Sequence, residues 1–179
     1  MKDGQASLLT SAPITVKATL VAPFIDTAYY LIGNMNGWNA DALIKLNHSG
    51  ADIYDDPVFS TIIEVPADCY WKVIPQINVT EGNVWNNNNV LGCEENGNTD
   101  LTGKLVINPN PEPGAMRIEN AGWVKISLNM MDYTYTVELL GEVSPYLYTP
   151  GNHQNWTPAT SVKLYSSDFM NYSGYLSID

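Results

Sequence analysis

Hydrophobic and polar positions alternate with a period of two along several short runs of this chain, which is the pattern of β-strands with one buried face. Turn-forming residues, mostly Gly, Pro, Asn and Asp, separate these runs. Almost no stretch shows the period of about 3.6 residues that marks an amphipathic helix. The predicted strands span residues 14–21, 28–33, 58–65, 69–74, 103–107, 123–128 and 133–139. Many short strands at this spacing predict an all-β fold, an antiparallel β-sandwich.

Two pairs of these strands are close enough in sequence to predict β-hairpins. The first hairpin joins residues 58–65 to residues 69–74 through the short turn Pro66-Ala67-Asp68. The second joins residues 123–128 to residues 133–139.

Two segments lack the alternation and are predicted as loops. Residues 81–100 are rich in Asn and carry one large aromatic residue of note, Trp85. Loops of this length in a compact domain are usually functional or disordered. Residues 108–114 alternate Pro with polar residues and predict a stiff turn, because Pro fixes the backbone and removes a donor.

A short phrase occurs twice in the sequence at one constant offset. Tyr30–Asn39 reads Tyr-Leu-Ile-Gly-Asn-Met-Asn-Gly-Trp-Asn, and Tyr148–Thr157 repeats its Gly, Asn and Trp as Gly151, Asn152 and Trp156. The offset has the length of a domain, so the repeat predicts tandem modules. We therefore predict three units: the terminal strand of an upstream sandwich at 1–23, a complete module at 24–141, and the start of a second, incomplete module at 142–179.

The charge balance excludes one class of partner. The formal net charge is −11 with only eight Lys and Arg residues, spread along the chain. Nucleic-acid binding relies on clustered basic residues, so no nucleic acid is expected as a partner. The acidity is interpreted as serving solubility.

The sequence leaves the cellular location of the chain and the pairing of its cysteines open. No apolar run is long enough to span a membrane, and Met1-Lys2-Asp3-Gly4 is not followed by the apolar core of a signal peptide. The chain is then either cytoplasmic or a mature segment of an exported protein. Cys69 lies in an apolar strand and is predicted to be a buried thiol, while a disulfide to Cys93 remains open.

The chemistry that the sequence offers is aromatic. Five Trp and eleven Tyr exceed what strand cores alone explain, because some lie in polar loops that are expected at the surface. Aromatic rings at a surface stack on the apolar faces of sugars or anchor protein interfaces. The candidate ligand-binding residues combine rings with polar groups and are Trp85, Lys72, Trp38, Asn86 and Asn88.

Three of these assignments have alternatives. Trp71 and Lys72 are neighbours on one strand and must face opposite sides, and we predict Trp71 in the core and Lys72 outward. Trp38 fits a core plug at the turn equally well. Asn86 and Asn88 are assigned by proximity to Trp85 alone.

Competing functions have weaker support. The acidic residues form no recognisable catalytic pair, and His48 and His153 are predicted as ordinary surface residues without a nucleophile partner. A calcium site at residues 52–56 is conceivable, but a solvated acidic loop is favoured. A structural or adhesive sandwich that binds a protein partner of an outer-membrane complex remains the alternative to sugar binding.

The repeated phrase resembles the opening motif of glycogen- and starch-binding sandwich modules, and its second copy resembles the tandem modules of the SusE and SusF family. These are surface lipoproteins of the Bacteroidetes starch-utilisation system. The resemblance implies an immunoglobulin-like β-sandwich at 24–141, preceded by an immunoglobulin-like domain. It implies a non-catalytic protein without cofactor or metal that binds starch or a related polysaccharide at the outer membrane surface, as an accessory of an uptake complex. It places Lys72 and Trp85 at the ligand, with Trp38 beside them.

Overall fold

The computed structural model describes residues 22–108 and 110–176. The predicted strand at 14–21, on which the upstream unit 1–23 rests, lies outside the described residues. The elements of the described residues are β1 Tyr29–Gly33, β2 Ile44–Lys45, β3 Val58–Val65, β4 Cys69–Pro75, α1 Gln76–Thr80, β5 Thr102–Lys104, β6 Met116–Ile118, β7 Gly122–Asn129, β8 Thr134–Leu139, β9 Tyr146–Thr149 and β10 Val162–Tyr165.

Strands β1 to β8 form two four-stranded sheets. One sheet has the order β2-β1-β4-β6 and the other has the order β3-β7-β8-β5. Every pairing between these strands is antiparallel. The prediction of an all-β, antiparallel sandwich is therefore confirmed.

One continuous core joins the two sheets, because alternate residues of each strand point inward. From the first sheet, Leu31, Trp71 and Val73 are fully buried, and from the second sheet Phe59 and Ile126 are fully buried. The inward position of Trp71 agrees with the sequence prediction. Its indole packs edge-to-face on the Tyr135 ring, with 5.7 Å between the ring centroids.

The first predicted hairpin is wrong. β3 pairs with β7 and β4 pairs with β1 and β6, so these two strands belong to opposite sheets. Residues 66–68 carry the chain across the sandwich, and Asp68 makes the turn with a left-handed φ of 53°. Phe59 of β3 and Trp71 of β4 are buried in the same core, so facing each other across that core satisfies these apolar residues as well as pairing would. The second predicted hairpin, between β7 and β8, is confirmed.

The loop predicted at 81–100 is partly ordered by the first sheet. Leu91 pairs with Val73 of β4, Gly92 with Val106, and Cys93 with Gly114. The segment before these bridges begins with α1 and crosses the outer face of the sheet. This is the arrangement that positions Trp85.

The prediction that Cys69 is a buried thiol is confirmed, and the disulfide that the sequence left open is not formed, because Cys69 and Cys93 are both free thiols. Both side chains are buried in the core, and the Sγ of Cys93 donates a hydrogen bond to the carbonyl oxygen of Glu95 at 3.0 Å. Burial raises the pKa of both thiols, which keeps them protonated and unreactive.

The strands β9 and β10 repeat the local geometry of β1 and β2. In each copy a Tyr faces a Lys across the strand pair, and an indole Nε1 donates to the Oδ1 of an Asn four residues earlier. The equivalent pairs are Tyr30–Lys45 with Tyr148–Lys163, and Trp38–Asn34 (3.0 Å) with Trp156–Asn152 (2.7 Å). That residues 142–179 begin a second module stays a prediction.

A turn after β10 packs against the sandwich. The Phe169 ring contacts Trp123 edge-to-face, with 4.6 Å between centroids. The carboxylate of Asp168 shapes this turn by accepting hydrogen bonds from the side chain and backbone of Asn171 and from the backbone N–H of Met170. These bonds hold the pKa of Asp168 well below its usual range.

We expect the contribution of Asp168 to stability to be lost in acid. Because its pKa is lower in the folded chain than in the unfolded chain, its contribution is complete above the unfolded value of about 3.9 and declines as the pH falls toward the folded value. The check compares thermal unfolding of the wild-type chain and Asp168→Ala between pH 7 and pH 2. The difference in midpoint should be largest at neutral pH and shrink below about pH 4. A difference that is independent of pH would contradict the role of the carboxylate.

Candidate functional site

The outer face of the first sheet is covered by the segment that follows β4. Ile32 and Ile74 project from this face and are fully buried beneath Val90 of that segment. Trp38 and Val84 pack against the same cluster and are partly buried. A second apolar layer therefore attaches the loop of Trp85 to the sheet.

A buried Asn organises this loop. The side chain of Asn78 is fully buried, and its Nδ2 donates to the carbonyl oxygens of Val84 at 3.1 Å and Asn86 at 3.2 Å. Its Oδ1 accepts from Nδ2 of Asn89 at 3.0 Å. These bonds bracket Trp85 on both sides, so the loop presents the indole from a fixed backbone.

The Trp38 ring is held by the turn of the repeated phrase. Gly37 and Trp38 both adopt left-handed φ angles, of 64° and 57°. The backbone N–H of Trp38 donates to the carbonyl oxygen of Gly33 at 2.8 Å, and its indole N–H donates to Asn34. With its N–H satisfied inside the turn, the ring offers its apolar surface to its surroundings.

Trp38 and Trp85 come together although 47 positions of sequence numbering separate them. Their ring centroids lie 6.1 Å apart and the ring planes are inclined by 32°. Trp85 is 41% exposed and Trp38 is partly buried. Trp38 packs on the apolar layer, as a core plug would, and it also lines the same groove as Trp85.

Lys72 lies beside the two rings and is more covered than predicted. It points to the outer face of the sheet, opposite Trp71, yet its side chain is only 9% exposed. The prediction that Lys72 faces outward is right about the face of the sheet. It is wrong about exposure, because the side chain is largely shielded from solvent. Glu112 approaches it from a later segment, and the Oε2 of Glu112 lies 3.4 Å from Nζ of Lys72.

These side chains line one open groove of about 580 Å³. Its lining residues are Asn34, Trp38, Tyr70, Lys72, Trp85, Asn96, Glu112 and Ala115. Three of the five predicted site residues, Trp38, Lys72 and Trp85, therefore share one surface.

The groove contains polar residues that the sequence reasoning missed. Tyr70 lies two positions before Lys72 on β4, and the period of two puts both on one face, so the strand pattern carried that signal. The guanidinium of Arg117 lies 5.7 Å from the Tyr70 ring centroid and pairs with Asp68, which fixes the ring. Asn96 and Glu112 come from distant loops and had no comparable local signal.

Asn86 and Asn88 take part in the loop and do not line the groove. The Oδ1 of Asn86 accepts from the backbone N–H of Asn88 at 3.2 Å, and the carbonyl oxygen of Asn86 accepts from Asn78. The structure gives Asn86 a part in shaping the loop that carries Trp85.

The other candidates of the sequence form a separate loop. His48 is half-buried rather than a simple surface residue, because its ring stacks on Phe59 at 4.6 Å and its Nε2 lies 2.6 Å from the carbonyl oxygen of Asp56. Asp52 accepts a hydrogen bond from the backbone N–H of Tyr54, and Asp56 accepts one from the backbone N–H of Val58 at the start of β3. Within residues 22–108 and 110–176, no three His, Cys, Asp or Glu side chains are grouped as a metal site would require. No helix of the described residues has the length and apolar character to cross a membrane.

Comparison with known proteins gives two matches. The family model described as "SusF, first starch specific CBM" matches residues 24–139. The crystal structure of SusF from Bacteroides thetaiotaomicron superposes with a TM-score of 0.56 at 20% sequence identity, and the match covers 79% of this chain and 31% of that one. This chain thus spans about a third of the SusF chain, and the likeness shows a shared fold. No curated protein sequence matches.

Proposed function

This chain belongs to the family of the first starch-specific carbohydrate-binding module of SusF, and we propose that it binds starch-type α-glucan in the groove around Trp38 and Trp85. Binding is non-catalytic in this proposal. Lys72, Tyr70 and Asn34 supply polar groups at the floor and edges of the groove, and the two indoles supply the apolar surface.

The inclined pair of indoles is the observation that carries the proposal. A pyranose ring presents axial C–H groups on a flat face, and an exposed indole is a large, rigid partner for that face. Two planes inclined by 32° at a centroid separation of 6.1 Å form a curved apolar wall. An α-1,4-linked glucan coils and has a curved face, whereas a β-1,4-linked glucan is extended and flat. The geometry therefore favours an α-glucan.

The polar groups of the groove suit sugar hydroxyls. The Lys72 ammonium carries three donors and no acceptor, and the Tyr70 hydroxyl can both donate and accept. A hydroxyl that leaves water needs such partners, since an unsatisfied polar group in a bound state costs affinity. Rings and donors on one surface meet both requirements of a sugar.

We extend the proposal to the context of the module. Residues 24–141 would form one complete binding module and residues 142–179 the start of a second. The protein would act at the cell surface, at the outer membrane, as an accessory of a polysaccharide-uptake complex. The family match supports the module, and the repeated Trp–Asn hydrogen bond supports its repetition.

The test is a calorimetric titration of the chain with maltoheptaose and, separately, with cellohexaose. One site of two rings should give about 4–6 kcal/mol of binding free energy to maltoheptaose, which corresponds to a dissociation constant between about 1 mM and a few tens of micromolar. Cellohexaose should bind at least about tenfold more weakly, a difference of about 1.4 kcal/mol. Equal binding of both, or binding of neither, would contradict the proposal.

A further inference from the structure

The cation of the groove is unusual in its burial. Lys72 is only 9% exposed in its side chain, and charged residues are rarely buried so far unless they are paired. One of the two ion pairs in the described part of the chain compensates it, at 3.4 Å from Glu112. A buried ammonium without that carboxylate would carry an uncompensated positive charge into a ligand groove.

The partner of Lys72 is held in place by its own segment. Gly114 exchanges two backbone hydrogen bonds with Cys93, at 2.7 and 2.9 Å. A Cβ on Gly114 would lie 2.6 Å from the backbone N of Asn96, so the segment packs closely against the neighbouring chain. Pro113, which adjoins Glu112, is buried. The carboxylate is thus fixed at its base while its side chain remains 58% exposed at the groove.

We propose that Glu112 makes this groove selective for uncharged glycans. Its carboxylate cancels the charge of Lys72, so an anionic substituent of an entering polysaccharide meets no net positive charge and faces the carboxylate, which is the more exposed member of the pair. Like charges brought together at an interface oppose binding and select between partners. The ligand class inferred is a neutral glucan, as opposed to chains that carry carboxylate or phosphate groups. The inference rests on the proposed function, because it assigns the selectivity of the same groove.

The alternative role of Glu112 is that of a direct acceptor for sugar hydroxyls. The two roles differ in their dependence on ligand charge. Loss of an acceptor weakens binding of neutral and anionic chains alike, whereas loss of a repelling charge improves binding of the anionic chain alone. Salt further separates them, because at about 1 M salt the screening length falls to about 3 Å.

The experiment measures the affinity of the whole chain for amylose and for carboxymethyl amylose of matched length, by affinity electrophoresis and by calorimetry. Glu112→Gln keeps the shape of the side chain and removes its charge. We expect its affinity for carboxymethyl amylose to rise about tenfold at low salt, with a change of less than about threefold for amylose, and the gain to shrink at about 1 M salt.

Two further variants control the result. Glu138→Gln makes the same change of net charge at an exposed position of β8, on the other sheet, and should leave the ratio of the two affinities unchanged. Lys72→Met combined with Glu112→Gln removes both charges, and its ratio should return toward that of the wild type, as a double-mutant cycle requires of a coupled pair. Thermal unfolding of each variant establishes that it is folded under the assay conditions.

Each outcome discriminates. If the wild type binds amylose and Glu112→Gln has the same ratio of affinities for amylose and carboxymethyl amylose, the inference is overturned and the proposed function is not. Parallel weakening for both ligands also overturns it, in favour of the hydroxyl acceptor. Absence of amylose binding by the wild-type chain overturns the proposed function, and the inference falls with it.

Discussion

Replacing Trp85 by alanine is expected to weaken maltoheptaose binding more than tenfold without unfolding the chain. The indole is 41% exposed, so little of the core depends on it. It lies beside Trp38 with 6.1 Å between the ring centroids, so removing it leaves one ring of a two-ring wall. Aromatic anchors at the centre of a binding surface cost about 2 kcal/mol or more when truncated, which is a factor of about 30 in affinity.

The control for this variant is another aromatic of similar exposure. Tyr54 is 45% exposed, in the loop at 52–56 and away from the groove. Titration of Tyr54→Ala with maltoheptaose should give the wild-type dissociation constant, and urea unfolding of both variants should give the wild-type free energy of unfolding within about 0.5 kcal/mol. A Trp85→Ala chain that binds as tightly as Tyr54→Ala would show that the groove is not the glucan site.

Six of the eight strands of the sandwich could be predicted from the sequence because each shows local alternation, whereas β2 and β6, of two and three residues, are too short to show it. The partner of a strand is not a local property. β3 and β4 are adjacent in the chain and separated by a turn sequence, yet they face each other across the core and pair with distant strands. The turn at 66–68 is short in either arrangement, so the sequence did not discriminate between a hairpin and a crossover.

The site residues likewise comprise some that the sequence predicts and others that depend on distant contacts. Trp85 was predicted because a large aromatic in an Asn-rich loop has no core to fill, and the resemblance to starch-binding modules placed Lys72 beside it at the ligand. That these two meet Trp38 depends on Asn78, whose hydrogen bonds fold the loop back over the sheet. Glu112 approaches Lys72 from a segment forty positions away in the numbering, and no local pattern marks it.

The repeated phrase illustrates how the same local geometry acquires different consequences. Its Trp–Asn hydrogen bond occurs in both copies, but Trp38 packs against an apolar cluster, whereas Trp156 is 65% exposed. In the first copy the following strands and loop surround the phrase closely. The first glycine of the phrase should therefore tolerate substitution very differently in the two copies.

Gly33→Ala is expected to destabilise the chain by about 3 kcal/mol, at the upper end of the range for overpacking. A Cβ at this position would lie 2.2 Å from the carbonyl oxygen of Tyr70 and 2.9 Å from Cα of Trp71. These are backbone atoms of the central strand β4, and a rotamer change cannot relieve the contact. The backbone of Gly33 is extended, with φ of 171°, so the cost comes from this contact and not from the conformation.

Gly151→Ala is the matched control, because Gly151 holds the equivalent position in the repeat. The nearest atoms to its added Cβ, at 2.9 Å, belong to the His153 ring, which is exposed and can rotate away. Its φ of −167° is also extended. We expect a change of less than about 1 kcal/mol, since the cost of moving the ring is partly offset by the lower entropy of the unfolded chain. Urea unfolding followed by circular dichroism measures both variants, and a Gly33→Ala chain that is folded and has the midpoint of Gly151→Ala would contradict the close approach of β1 to β4.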